Sequence, residues 1–96
     1  MHMKTHVAAL VEKDDKYLIV RPPDDDIWRF PGDEMHADES EGDAVQRAVL
    51  EKLNTVVAVG KLLATVEANN GPIVKLYMCK HELGGYSGSG YSDTAW

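Results

Sequence analysis

Residues 28–54 read WRFPGDEMHADESEGDAVQRAVLEKLN, and the two halves of this stretch follow different rules. Ile27 to Phe30 is a short extended piece that Pro31-Gly32 ends. Asp33 to Asp38 is polar and without period, so a loop is expected there. From Ser40 or Glu39 the pattern changes. Ala44, Val45, Ala48, Val49 and Leu53 recur at spacings of three and four, which puts an apolar stripe on one face of a helix running to about Asn54. Ser40 is the expected N-cap, with Asp43 three residues on. Acids crowd the first turn while Arg47 and Lys52 come later, as the helix dipole prefers. Asn54 suits the left-handed residue that closes a helix.

Strands flank this helix on both sides. His6–Glu12 and Tyr17–Arg21 are apolar and rich in branched or aromatic residues, with a charged turn at Asp14-Asp15, so they are expected to form a hairpin. Pro22-Pro23 stops the second strand, and Asp24-Asp25-Asp26 follows as a charged loop. After the helix, Thr55–Val59 and Lys61–Ala68 are β-rich and separated by Gly60. Asn69-Asn70-Gly71 is a turn signal joining them to Ile73–Leu83, the longest strand candidate. Gly84–Ser92 is low in complexity and expected to be flexible. One helix among strands predicts an α+β fold with a mixed sheet, in a single domain over residues 1–96.

The stretch resembles the Nudix box, whose pattern is glycine, five residues, glutamate, seven residues, then Arg-Glu-apolar-x-Glu-Glu-x-Gly-apolar. Glu39, Arg47, Val49 and Glu51 fall on that pattern, whereas Asp33, Ala48, Lys52 and Asn54 stand where it has Gly, Glu, Glu and Gly. The resemblance covers nearly the whole chain and implies a mixed sheet with the motif helix on one face. Trp96 resembles a tryptophan that in the family precedes a second helix, and the sequence ends there. That helix is therefore expected to be missing, and the sheet it would cover is expected to favour a homodimer.

The chemistry implied is hydrolysis of a nucleoside diphosphate linked to another group. Crowded phosphate charge is ordinarily met by Mg²⁺ or Mn²⁺ held on carboxylates. Glutamates at i, i+3 and i+4 of one helix point to one side and can clasp metal. Those positions are Ala48, Glu51 and Lys52, so two of three carboxylates are replaced and the site is expected to be impaired. The resemblance makes Glu51, Arg47 and Glu39 the catalytic candidates, Glu51 and the Gly32 carbonyl the metal ligands, and Arg21, Arg29 and Lys52 the phosphate-binding residues. Arg47 and Glu39 would tie the box loop to the helix. A solvated charged stripe through Glu39, Asp43, Arg47 and Glu51 accounts for the same residues without chemistry. Asp33 would take the backbone angles of the tight turn that the family glycine serves. Tyr17, Tyr77, Tyr86 and Tyr91 are candidates to stack on a base, while Trp28 is expected in the core. The alternative to an enzyme is a non-catalytic module that binds a nucleotide or a protein.

Composition narrows the partners. A net charge of −6 over 96 residues, with no basic stripe, argues against gripping a nucleic acid polymer by its phosphates. The longest apolar runs fall short of the about 18 residues of a membrane helix. Cys79 is the sole cysteine, so no internal disulfide forms; a buried reduced thiol and a cytoplasmic location are expected.

Overall fold

The computed structural model describes residues 4–23, 27–67, 71–85 and 93–96. Strand β1 (Thr5–Lys13) is its centre. Val7, Ala9 and Val11 alternate along it and are buried, as period two requires of a half-covered strand. On one side β1 runs parallel to β6 (Ile73–Gly84), which pairs antiparallel with β5 (Thr55–Glu67). Its antiparallel partners are β2 (Lys16–Tyr17) at its C-terminal end and β4 (Gly32–Glu34) at its start. Two further strands, β3 (Ile19–Arg21) and β7 (Asp93–Ala95), form a separate antiparallel pair.

Helix α1 (Glu41–Leu53) starts and stops where the sequence says it should. The Asp43 amide donates to the Ser40 hydroxyl at its N-terminus, and Asn54 closes it at φ 52° with its amide bonded to Leu50. Its buried face carries Ala44, Val45, Ala48, Val49 and Leu53. Most of these join Val7, Ala9, Val11, Leu18, Val20, Val57 and Cys79 in one core. Each fully buried valine or leucine contributes about 1.5–3 kcal/mol of transfer free energy. Among the described residues α1 is the one helix, and it is too short and too polar to cross a membrane.

Several expectations need correction. Tyr17–Arg21 is not one hairpin strand. Its ladder with β1 covers Lys16 and Tyr17, the buried Leu18 still donates its amide to the Val11 carbonyl at 3.0 Å, and from Ile19 the chain pairs instead with β7 and with Arg29. The turn itself forms at Asp14 and Asp15, both at positive φ. The loop expected from Asp33 instead begins with β4, whose three-residue length is below what alternation can reveal. Gly60 does not break β5. The strand absorbs it as an irregularity that lets the backbone pass close to Met78, whose carbonyl would lie 3.2 Å from an added Cβ. Asp33 takes no left-handed angle; it is extended within β4. Trp28 is not in the core but 42% exposed, with the Arg21 guanidinium over its ring at 5.8 Å. Asp24–Asp26, Asn69-Asn70 and most of Gly84–Ser92 lie outside the described residues, although the β5–β6 pairing that the turn was expected to join is present. Cys79 is buried in β6 as expected, and burial pushes its thiol up to about 11.

Candidate active site

Arg47 is the hub that joins the box loop to the helix. Its Nε and Nη2 form a two-pronged bond to the Glu39 carboxylate, at 2.5 and 3.0 Å. Nη2 also donates to the Glu34 carbonyl at 2.9 Å, and Nη1 to Asp33 Oδ2 at 3.2 Å. Glu39 in turn accepts from the His36 amide at 2.8 Å, which closes the loop on itself. The planar guanidinium suits such a junction, since its donors point in fixed directions. Bonding to Arg47, then to the His36 amide, holds the Glu39 carboxyl below its ordinary value. Burial pushes Asp33 up, but the Glu34 amide, Arg47 and Lys52 together hold it down. The Arg47 side chain is only 16% exposed, so a solvated stripe does not describe it.

Glu51 is different. Its side chain is 57% exposed and meets Arg47 Nη1 at 3.5 Å, an ordinary surface pair one helical turn apart. Ala48, at the first family carboxylate position, is 1% exposed and packs inward. Lys52, at the third, directs its ammonium at the box loop. Its Nζ donates to the Gly32 carbonyl at 2.9 Å and lies 3.6 Å from Asp33 Oδ1. The carbonyl expected to face a metal therefore faces an ammonium. Among the described residues no group of three or more His, Cys, Asp or Glu is placed to hold a metal ion. Gly32 and Glu51 were the expected ligands, yet one is bonded to a cation and the other leans on Arg47. The donor set does not fit a divalent metal, which wants several converging oxygens.

Beside this seat is a cavity of about 750 Å³. His6 and Ala8 of β1 and Val74 and Leu76 of β6 sit opposite each other in register, and Val66 of β5 continues the row. Ala8, Val74, Leu76 and Val66 form an apolar floor on the sheet face away from α1, with the His6 imidazole at one end and Pro22, Pro23, Ile27 and Phe30 alongside. Arg29, Lys52, Asp33 and the Gly32 backbone make the polar lining. Of the phosphate-binding candidates, Arg29 and Lys52 line this cavity, whereas Arg21 instead packs over Trp28. Tyr17 and Tyr77 do not line it; Tyr86 and Tyr91 lie outside the described residues.

Two features escaped sequence reasoning. Asp33 is a shared partner of Arg47 and Lys52, and its only signal was a carboxylate standing where the pattern has glycine. The second is a cluster on the helix side of the sheet, where Tyr77 and Lys75 both bond to Glu41 at the start of α1. That bond to Glu41, with burial, pushes the Tyr77 phenol up to about 12. No sequence spacing announces it, since the partners are 34 and 36 positions apart.

No family model matches the chain. A curated relative does, the CTP pyrophosphohydrolase of Escherichia coli (strain K12), at 34% identity over 82 residues, spanning 80% of this chain. The chain spans 61% of that relative's length. Among solved structures, the solution structure of the E. coli ORF135 protein superimposes with a TM-score of 0.79 at 29% identity, covering all of this chain and 74% of the other. A NUDIX hydrolase from Nitrosomonas europaea matches in fold, with a TM-score of 0.87 at 21% identity over 99% of this chain and 57% of the other. With the box residues in register and the sheet and helix shared, the curated relative and the solved structures together support membership of the Nudix hydrolase family.

Proposed function

We propose that this chain binds a nucleoside diphosphate-linked compound in the cavity beside the box, and that the family's hydrolytic chemistry is impaired in it. One observation carries this reading. The 750 Å³ cavity joins an apolar floor to a wall bearing Arg29 and Lys52. A nucleotide has the same division, a flat base at one end and anionic phosphates at the other. Impairment follows from the helix, where Ala48 and Lys52 replace two carboxylates that would gather metal and activate water. A lysine can hold a phosphate, but it does not lower the pKa of water as a bound metal does.

The curated relative is named for pyrophosphohydrolysis of CTP, so cytidine nucleotides head the panel to be tried. Calorimetric titration with CTP, CDP and other nucleoside di- and triphosphates should show one site per chain. Phosphate and pyrophosphate release, followed in parallel with Mg²⁺ or Mn²⁺, should remain far below the about 1–1,000 s⁻¹ typical of enzymes. A chain that binds none of the panel would sink the nucleotide reading. Turnover within the usual enzymatic range would instead show a competent hydrolase.

A further inference from the structure

The departures from the box at Asp33, Ala48 and Lys52 fit one another. Lys52 points its ammonium at the Gly32 carbonyl, and the Asp33 carboxylate stands 3.6 Å away to balance its charge. Asp33 is anchored from the other side by Arg47. Ala48 takes no part and lies in the packed interface under the helix. A cation and its balancing anion thus occupy the seat, and the third position belongs to the core.

We propose that the Lys52 ammonium performs the electrostatic work that the family gives to a divalent metal, so that this cavity recognises the diphosphate of its ligand without a metal ion. The proposal rests on the cavity being a nucleotide site. Three carboxylates on one helix face repel each other and need a cation to settle them. Here the helix offers Glu51, turned to Arg47, and the positive charge of Lys52. A divalent ion arriving at the Gly32 carbonyl would meet that ammonium at contact distance, and repulsion would oppose its binding. A phosphate arriving on the cavity side of that ammonium would be attracted to it, against the opposing charge of Asp33. An ammonium carries three N–H donors on a flexible stem, so it can turn towards phosphate oxygens at the cavity wall. Arg29 lines the same cavity and adds a second cation for a second phosphate.

The test separates the metal question from the nucleotide question. CDP is titrated into the full chain by calorimetry, once with EDTA and once with excess Mg²⁺, and Mn²⁺ uptake by the chain alone is followed by electron paramagnetic resonance. The expected result is the same affinity in both buffers and no Mn²⁺ retained. Lys52→Met keeps the stem and removes the charge; it should lose about ten-fold or more in CDP affinity in EDTA, close to 1.4 kcal/mol. Lys52→Glu should lose CDP binding in EDTA and recover part of it with Mn²⁺. The proposal is overturned if CDP binding needs Mg²⁺, if the wild-type chain takes up Mn²⁺, or if folded Lys52→Met binds like wild type; each leaves the nucleotide site standing. A folded wild type that binds no nucleotide in either buffer removes the site itself, and the proposal with it.

Discussion

Arg47 and Lys52 stand on one helix, carry the same charge and contact the same loop, yet they belong to different halves of the box. Arg47 matches the family pattern and bonds to Glu39, Asp33 and the Glu34 carbonyl with its side chain 16% exposed. Lys52 departs from the pattern and bonds to the Gly32 carbonyl with its side chain 28% exposed. The first is a planar fork whose donors each have an assigned direction; the second is a point charge on a stem. The pair that ties the loop to the helix, Glu39 and Arg47, matches the pattern, whereas two of the three helix positions that would hold metal, Ala48 and Lys52, depart from it. Scaffold and chemistry are thus separable within a single loop and helix, and mutations can test how far.

Gly32→Ala should have the largest effect because it breaks both regions together. An added Cβ would lie 2.0 Å from the Val7 carbonyl, against backbone that cannot step aside. Strand β4 would be forced from β1, taking with it the carbonyl that Lys52 holds and the backbone that Arg47 holds. The expected loss is about 4 kcal/mol or more in chemical denaturation, within the exceptional range for a single substitution. A loss near 1 kcal/mol would mean that β4 can shift and that the site is less tightly placed.

Arg47→Ala attacks the retained half alone. It takes the guanidinium from the Glu39 and Asp33 carboxylates, leaving Glu39 the His36 amide and Asp33 the Glu34 amide and Lys52, and removes the side-chain donor of the Glu34 carbonyl, for an expected cost of about 3 kcal/mol. Arg47→Lys should recover little, since one ammonium cannot reproduce the fork. Circular dichroism against denaturant checks both, and equal stability of wild type and Arg47→Ala would reduce the hub to surface decoration.

Acid provides the same comparison without mutation. The carboxyls of Glu39, Asp33 and Glu41 are all held below their ordinary values of 4.5, 3.8 and 4.5. A depressed carboxyl stabilises the fold at pH above its unfolded value, and that contribution fades as pH falls through the folded value. Stability should therefore be steady near neutrality and decline from about pH 4.5 downward. The gap between wild type and Arg47→Ala should narrow over that window, because protonated Glu39 and Asp33 no longer need the guanidinium. A gap that stays constant from neutral to acid pH would show that Arg47 acts by packing rather than charge.

Lys52→Met should change the other half while barely touching stability, by less than about 1 kcal/mol, because a partly exposed ammonium contact is weak. The difference from Arg47→Ala is the sharpest form of the comparison. Comparable losses at the two positions would mean that Lys52, too, holds the scaffold.

The helix was legible to within a residue at each end, because its signals are local: an apolar stripe, Ser40, and Asn54. The long strands β1 and β6 were legible from branched and apolar runs for the same reason. The residues of β3 were legible as strand but not its pairing with β7, and β4 and β7 were not legible, being three residues each and defined by partners far along the chain. Register with the family brought Arg47, Glu39, Glu51 and Lys52 to notice. It gave no way to foresee that Lys52 would meet the Gly32 carbonyl, or that Asp33 would serve two cations, since both depend on how closely β4 approaches α1. Trp28 misled because aromatic bulk predicts burial, whereas here its ring lies under Arg21 at the surface.

Glu51→Gln is expected to have the smallest effect, although Glu51 is the one carboxylate that the family pattern still finds on this helix. Its bond to Arg47 is long and its side chain is mostly in water. Such a pair contributes only about 0.3–0.5 kcal/mol, so the denaturation midpoint should hardly move. Function is the stricter measure. With alanine and lysine at the two neighbouring positions, Glu51 belongs to no cluster among the described residues that is placed to hold a metal, and phosphate release should be as slow in Glu51→Gln as in wild type. If wild type instead shows turnover that Glu51→Gln abolishes while the fold is unchanged, the rewritten half of the box has kept its chemistry on one residue. The division between a preserved scaffold and an exchanged site would then run between Glu51 and Lys52, adjacent positions on the same turn of helix.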